Sequence, residues 1–136
     1  MAPRFLLDTN ICIYVRRWRP PEVRARFSRL VAGEAALSVI TYGELMYGAA
    51  KLHPVPRRAA EQIQEFLDLI EVLPLPTEAG QIYGEIRAFL ETKGQIIGNN
   101  DLWIAAHAIS ADLIVVTNNE REFRRVPDLK IENWTK

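Results

Sequence analysis

The sequence is poor in cysteine and histidine, carries no net formal charge and has no long hydrophobic run. Its single cysteine, Cys12, cannot form an internal disulfide, which excludes a disulfide-stabilised secreted domain and favours a small core residue in a reducing compartment. No apolar run approaches the ~20 residues that span a bilayer. The first residues also lack the basic, apolar and cleavage segments of a signal peptide. We therefore expect a cytoplasmic protein without a membrane segment.

Several common functional motifs are also missing. The sequence contains no Gly-x4-Gly-Lys phosphate loop, no His-Glu-x2-His helix and no Cys-x2-Cys pair. These absences argue against a P-loop nucleotide-binding protein and against the usual zinc sites. Any catalytic site must be built from other side chains.

What the chain does have is enough apolar material for one core. Its 136 residues are 49% hydrophobic, which predicts a single domain over residues 1–136. The charges are unevenly distributed, since the first thirty residues are rich in arginine and the middle of the chain is acidic. The early arginines are Arg4, Arg16, Arg17, Arg19, Arg24, Arg26 and Arg29. They could attract phosphate groups or simply form a solvated helix face.

Short apolar runs alternate with segments of helical periodicity. The runs predict strands at 3–8, 36–40, 71–75 and 112–119, with a fifth, edge strand at 129–133. Helices are predicted at 10–17, 20–33, 41–52, 56–70, 77–94 and 100–112. This alternation predicts an α/β fold of three layers, α/β/α, around a central parallel sheet of four to five strands.

Acidic and amide side chains fall where the predicted strands end. Asp8 ends the first strand, and Glu44 lies in the first turn of the helix after the second. Asp101 opens the helix that leads into the fourth strand, and Asn119 follows that strand. The carboxyl ends of parallel strands share one edge of the sheet, where ligands usually bind. We therefore expect these four side chains to meet.

Each acid taken alone has a structural explanation. Asp8 could cap the helix that begins near Asn10, and Thr41 with Glu44 fits a capping box. Asp101 could favour the positive end of its helix. Convergence changes this interpretation, because clustered carboxylates repel one another unless a cation neutralises them.

Oxygen-only ligands indicate a hard ion, Mg²⁺ or Mn²⁺, rather than zinc. Such an ion activates water and shields a phosphate from the carboxylates, which suits hydrolysis of a phosphodiester. Asp8, Glu44 and Asp101 are the predicted metal ligands.

Four stretches of the sequence resemble the signatures of PIN-domain ribonucleases. They are LLDTNI, the glutamate of SVITYGELMYG, the run GNNDLWIAAHA and the segment IVVTNNEREF, in this order between residues 5 and 123. The likeness is greatest to VapC toxins of VapBC (type II) toxin–antitoxin systems and extends over nearly the whole chain. The combination of NNDLWIAAHA with VVTNNEREF is its most specific part.

The resemblance implies a Mg²⁺- or Mn²⁺-dependent endoribonuclease that cuts structured RNA, a tRNA or rRNA. It also implies a homodimer inhibited by a VapB-type antitoxin, in a heterotetramer or hetero-octamer, with a basic antitoxin side chain able to enter the acidic site. Carried over by position, Asp8, Glu44 and Asp101 bind the metal. The supporting residues would be Thr9, Asn10, Thr117, Asn118 and Glu120.

One position departs from the family pattern. Many PIN domains have an aspartate two residues after the threonine that corresponds to Thr117, whereas this chain has Asn119. An amide can coordinate a metal or hold a bound water but adds no charge. Glu120 or Glu122 could supply the missing carboxylate, and a single metal ion is better supported than two.

Other prominent residues are assigned to packing. His107 is expected to pack within its helix rather than act as a base, Trp103 to pack beside the site and His53 to cap the end of its helix. Trp18 alone among the tryptophans lies amid arginines, where it could stack on an RNA base.

Two other functions compete with the nuclease. A phosphoacceptor receiver domain would need an acidic pair after the first strand, but Asp8 has no acidic neighbour. A catalytically weak PIN-fold module that only forms complexes is the second, and Asn119 motivates it.

Overall fold

The computed structural model describes residues 2–52 and 56–136, so that the predicted role of His53 lies outside the described residues. In this part of the chain the strands are β1 (Phe5–Leu7), β2 (Ala35–Ser38), β3 (Glu71–Leu73), β4 (Ile114–Val116) and β5 (Ile131–Glu132). The helices are α1 (Thr9–Arg17), α2 (Pro21–Ser28), α3 (Val39–Ala50), α4 (Pro56–Leu67), α5 (Glu78–Lys93), α6 (Asn99–Ala111) and α7 (Glu120–Phe123).

The five strands form one parallel sheet in the order β3-β2-β1-β4-β5. The central strand, β1, pairs with β2 on one side and β4 on the other, so that Leu6 lies opposite both Ala36 and Val115. The chain fills one half of the sheet with β1 to β3 and then crosses to the other half with β4. The direction of winding therefore reverses between β1 and β4, the position where open α/β sheets bind their ligands.

Alternate residues of the sheet face two separate cores. Phe5 and Leu7 pack with apolar residues of α1 to α4, whereas Leu6 packs with those of α5 and α6. Both faces of the sheet are therefore covered by helices, which explains why the central strands β1 and β4 are unbroken apolar runs. The predicted α/β/α fold with a parallel sheet is confirmed.

The structure shortens or adds several elements. The predicted helix at 20–33 ends at Ser28, the strand at 71–75 is confined to β3, and α7 was not predicted. His107 is buried and its Nδ1 lies 2.9 Å from Oγ of Ser38, which confirms its packing role. No helix in the described residues is long and apolar enough to span a membrane.

Candidate active site

Asp8 lies directly after β1 and is held by both of its carboxylate oxygens. Its Oδ1 accepts a hydrogen bond from the backbone N–H of Ile11 at 2.9 Å, which makes it the N-cap of α1 as expected. Its Oδ2 accepts a hydrogen bond from the hydroxyl of Thr117, which follows β4. The side chain is only 6% exposed. Asp8 is therefore fixed at the junction of the two central strands.

Glu44 reaches the same region from α3. Its Oε1 accepts a hydrogen bond of 2.6 Å from the hydroxyl of Thr9, the first residue of α1. The capping box considered as the structural alternative for Thr41 and Glu44 does not form, because α3 begins earlier and its N-cap is Ser38, whose hydroxyl accepts from the Ile40 N–H. Thr41 instead lies buried inside the helix, its hydroxyl without a hydrogen-bond partner in the described part of the chain. Glu44 is thus directed to α1 rather than to its own helix end.

Asp101 lies in the first turn of α6 and is half-buried. Burial raises its pKa to about 7, and the negative charges of Asp8, Glu122 and Glu44 add to the rise. These three carboxylates approach Asp101 from different elements. Asp8, Glu44 and Glu122 therefore lie near enough to Asp101 for their charges to act on it. That Asp8, Glu44 and Asp101 jointly bind a metal ion stays a prediction.

The pKa of Asp8 is raised in the same direction, to about 6. Burial is the main cause, and the hydrogen bonds from Thr117 and Ile11 oppose it, while the charge of Glu44 adds to it. No lysine or arginine in residues 2–52 and 56–136 forms an ion pair with Asp8, Glu44, Asp101 or Glu122. The cluster is therefore acidic, partly buried and uncompensated, which is the electrostatic setting of a cation site.

The donor set fits a hydrated divalent ion better than a fully enclosed one. Among the described residues, no three His, Cys, Asp or Glu side chains are gathered tightly enough to surround a metal ion by themselves. Mg²⁺ usually takes one or two protein carboxylates and keeps several waters. One or two of Asp8, Glu44 and Asp101, which offer only oxygen donors, would be enough to hold such a hydrated ion.

The segment after β4 contains the side chains that could join Asp8, Glu44 and Asp101 as the fourth member of the cluster. The amide Nδ2 of Asn119 donates a hydrogen bond to Oε2 of Glu122 at 2.9 Å, and its backbone N–H donates to Oγ1 of Thr117. Asn119 therefore borders the cluster and orients Glu122, which faces Asp101. The spacing of three residues on a helical turn is the signal that joins Asn119 to Glu122, but α7 is too short to be predicted from periodicity.

Glu120, the other alternative, is occupied elsewhere. Its carboxylate pairs with Lys136 and Arg124 at 2.8 Å and accepts a hydrogen bond from Asn133. The hydrogen bonds from Lys136 and Asn133 lower its pKa to about 2. Its expected support of the cluster finds no basis in this geometry, because the carboxylate is held by the C-terminal segment.

The remaining predicted residues divide into two groups. Thr9 and Thr117 bind the acids directly through their hydroxyls. Asn10 has an exposed side chain and contributes only its backbone N–H to Asp8. Asn118 is exposed and donates to the Tyr14 hydroxyl instead of to an acid. Trp103 stacks on Tyr83 of α5, with ring centroids 3.9 Å apart.

An open groove of about 720 Å³ adjoins the cluster. Thr9 and Glu44 line it together with Arg17 and Trp18, and apolar side chains of α3 and α4 complete its walls. Glu44 is therefore reachable from solvent along α1.

Single Glu→Gln substitutions test whether Glu122 or Glu120 supports the acidic cluster. We expect Glu122→Gln to weaken metal binding and nuclease activity by roughly 10- to 100-fold, the usual effect of losing a group that orients a metal ligand. Glu120→Gln is the matched control, two residues away, and should keep activity within about threefold because its carboxylate faces Lys136 and Arg124. Mn²⁺ titration and initial cleavage rates measure both variants. A greater loss in Glu120→Gln than in Glu122→Gln would contradict the assignment.

Comparison with known proteins adds to this geometry. Residues 5–129 match the model of the PIN domain family. Ribonuclease VapC2 of Haemophilus influenzae is 45% identical over 131 residues, covering 96% of this chain and 98% of that protein. The tRNA(fMet)-specific endonuclease VapC of Salmonella typhimurium is 44% identical over 131 residues, with coverage of 96% and 98%. A chain in the crystal structure of DNA-bound VapBC from Salmonella typhimurium is 43% identical, with a TM-score of 0.89 and coverage of 98% and 99%.

Proposed function

This chain belongs to the PIN-domain family, and from that premise we propose that it is a Mg²⁺- or Mn²⁺-dependent endoribonuclease that cuts structured RNA. It is a VapC-type ribonuclease toxin of a toxin–antitoxin system. Residues 1–136 act as one nuclease domain, and its place of action is the cytoplasm. The observation that carries the metal dependence is the uncompensated cluster of Asp8, Glu44, Asp101 and Glu122 at the strand ends.

In the proposed mechanism, Asp8, Glu44 and Asp101 are the metal-binding and catalytic acids, with Asn119 completing the site through Glu122. Thr117 and Thr9 hold the carboxylates of Asp8 and Glu44 by hydrogen bonds, which fixes the oxygens before substrate arrives. A divalent ion bound there supplies Lewis-acid activation of water and neutralises the acids. Without that positive charge the carboxylates would repel the RNA phosphate.

The name of one relative supports a proposal for the class of RNA that this chain cleaves. A relative 44% identical over nearly the whole chain is named a tRNA(fMet)-specific endonuclease, which supports a structured tRNA as the substrate, and rRNA is the second candidate. Sequencing of RNA ends after induced expression tests this proposal. We expect new ends concentrated at one site in a tRNA or rRNA, and none when the Asp101→Asn variant is expressed. Ends scattered over unstructured messenger RNA would contradict it.

The partner proposal is a VapB-type antitoxin, with a homodimer of this chain in a heterotetramer or hetero-octamer. Similar solved structures are VapBC complexes, and the acidic cluster here has no cationic partner among the described residues. A basic antitoxin side chain would find favourable charge at Asp8 and Asp101. Such a contact would block metal and RNA together.

A catalytically weak module that only forms complexes remains the alternative function, since Asn119 carries no charge. The position of Glu122 beside Asp101 argues against it, because the carboxylate that Asn119 lacks is restored three residues later. The receiver-domain alternative is excluded by family membership.

A further inference from the structure

Trp18 has a left-handed backbone conformation, which is unusual for a bulky residue. It is the C-cap of α1, with φ 55 and ψ 36 in the left-handed region, where a helix end normally has glycine. A bulky residue in this conformation is an outlier that points to a use for the side chain. The indole is also 46% exposed, so burial in the core does not account for it.

Several arginines lie close to this indole in the sequence, and one of them contacts it in the fold. The guanidinium carbon of Arg24 lies over the Trp18 ring, 5.4 Å from its centroid. In the described part of the chain, five of the six arginines at residues 16–29 form no ion pair with a carboxylate, and Arg26 pairs with Glu132. These five are Arg16, Arg17, Arg19, Arg24 and Arg29. Helix dipoles favour Arg16 and Arg17 in the last turn of α1 and Arg29 at the C-cap of α2, but they do not explain Arg24 inside α2.

The indole and one of the acids, Glu44, line the same groove. Trp18 and Arg17 line the same groove as Thr9 and Glu44. Along α1, the nine steps from Thr9 to Trp18 correspond to about 14 Å at the helical rise. A polynucleotide with a phosphate at the acids would therefore reach Trp18 within a few nucleotides.

We propose that Trp18, with Arg17 and Arg24, forms a platform that binds an unpaired base and its neighbouring phosphates in the RNA substrate. This inference rests on the proposed nuclease function and deepens it. Stacking on an aromatic ring and charge attraction to the backbone are the two means by which proteins hold single-stranded RNA. A peptide would use the apolar wall of the groove but would leave the five guanidinium groups without phosphates to meet them.

Two substitutions of Trp18 test the platform without depending on a damaged fold. Trp18→Gly removes the ring while giving the left-handed C-cap its preferred residue, and Trp18→Phe keeps a smaller ring. On a short hairpin RNA that contains the mapped cleavage site, we expect Trp18→Gly to raise KM about 10- to 100-fold with kcat within about threefold. Trp18→Phe should recover most of the loss. Thermal denaturation should give both variants a midpoint close to that of the unmodified protein.

Phe89→Ala is the matched control. Phe89 is 41% exposed and has Lys93 5.5 Å from its ring centroid, which closely reproduces the exposure and cation contact of Trp18. It lies on α5, on the opposite layer. Its removal should leave KM and kcat unchanged.

Salt dependence tests the charges of the platform. If Arg24 contacts a phosphate, Arg24→Gln should reduce the slope of log affinity against log salt by about 0.7, the value for one contact with a single strand. An unchanged slope together with an unchanged KM in Trp18→Gly would overturn the platform.

The outcomes separate this inference from the nuclease proposal. RNA affinity is measured in the Asp101→Asn background, so that binding is read without cleavage. If the unmodified chain cleaves RNA but the Trp18→Gly change leaves affinity unaltered, the platform is wrong and the nuclease stands. If Trp18→Gly weakens binding of the antitoxin and not of RNA, the surface serves the antitoxin and the platform is equally wrong. If the unmodified chain cleaves no RNA with Mn²⁺ present, the nuclease proposal itself fails.

Discussion

Asp101→Asn should reduce the rate of RNA cleavage at least about a thousand-fold while leaving the fold intact. The substitution removes one negative charge from the proposed metal site but keeps the size of the side chain. Charge stabilisation by a bound metal contributes several kcal/mol to a phosphodiester transition state, and a loss of about 4 kcal/mol corresponds to roughly a thousand-fold in rate. Single-turnover cleavage of a mapped RNA, with circular dichroism for the fold, measures the effect.

The control for this variant is Asp112→Asn. Asp112 is an exposed carboxylate at the other end of α6, where it pairs with Lys130 at 3.0 Å, and its loss should change the rate by less than about twofold. Asp8→Asn should match the loss seen in Asp101→Asn. Undiminished metal-dependent cleavage by both site variants would remove Asp8 and Asp101 from the active site.

The affinity for Mn²⁺ should fall by roughly a hundredfold between pH 8 and pH 5.5. The metal-free protein holds protons on Asp101, with a pKa of about 7, and on Asp8, with a pKa of about 6. A metal ion binds the deprotonated carboxylates, so that protons compete with it as the pH falls through these values. Calorimetric titration in buffers of different ionisation enthalpy measures both the affinity and the release of protons, which should lie between about one and two at pH 6.

The same shifts predict how stability depends on pH. Because the folded-state pKa of Asp8 lies above the value of 3.8 for an unperturbed aspartate, the folded protein binds this proton more tightly than the unfolded chain does. The raised pKa of Asp8 therefore adds to the free energy of unfolding at low pH, and this contribution is lost as the pH rises from about 4 through about 6. For a shift of about two pKa units the loss is roughly 3 kcal/mol. Saturating Mn²⁺ at pH 8 should raise the thermal midpoint. An affinity for Mn²⁺ that does not change between pH 8 and pH 5.5 would contradict metal binding by Asp8 and Asp101.

The strands at the centre of the sheet could be predicted because a strand that is buried on both faces has an uninterrupted apolar sequence. The apolar runs containing β1 and β4 were recognised for that reason. The end of β2 was missed because Val39 and Ile40 are β-branched and favour a strand, whereas in the structure they begin α3. There Ser38 is fixed by His107, 69 residues away, and no local pattern contains that contact.

The part of the candidate site that depends on the parallel topology of the sheet could be predicted from the sequence. Asp8, Glu44 and Asp101 follow from the rule that strand ends share one edge of a sheet. The choice of Glu122 over Glu120 could not be made, because it depends on Lys136 and Asn133, which reach Glu120 from the end of the chain. The bond between Thr9 and Glu44 likewise joins residues far apart in the sequence.

Anomalous scattering from a crystal grown with Mn²⁺ tests most directly whether these acids hold one ion. The expected result is a single strong peak at the carboxyl edge of the sheet, about 2.0–2.2 Å from an oxygen of Asp8 or Asp101 or both, with water in its remaining positions. The peak should be absent from crystals of Asp101→Asn. A manganese ion bound elsewhere, with Asp8 and Asp101 free of metal at pH 8, would contradict the central claim.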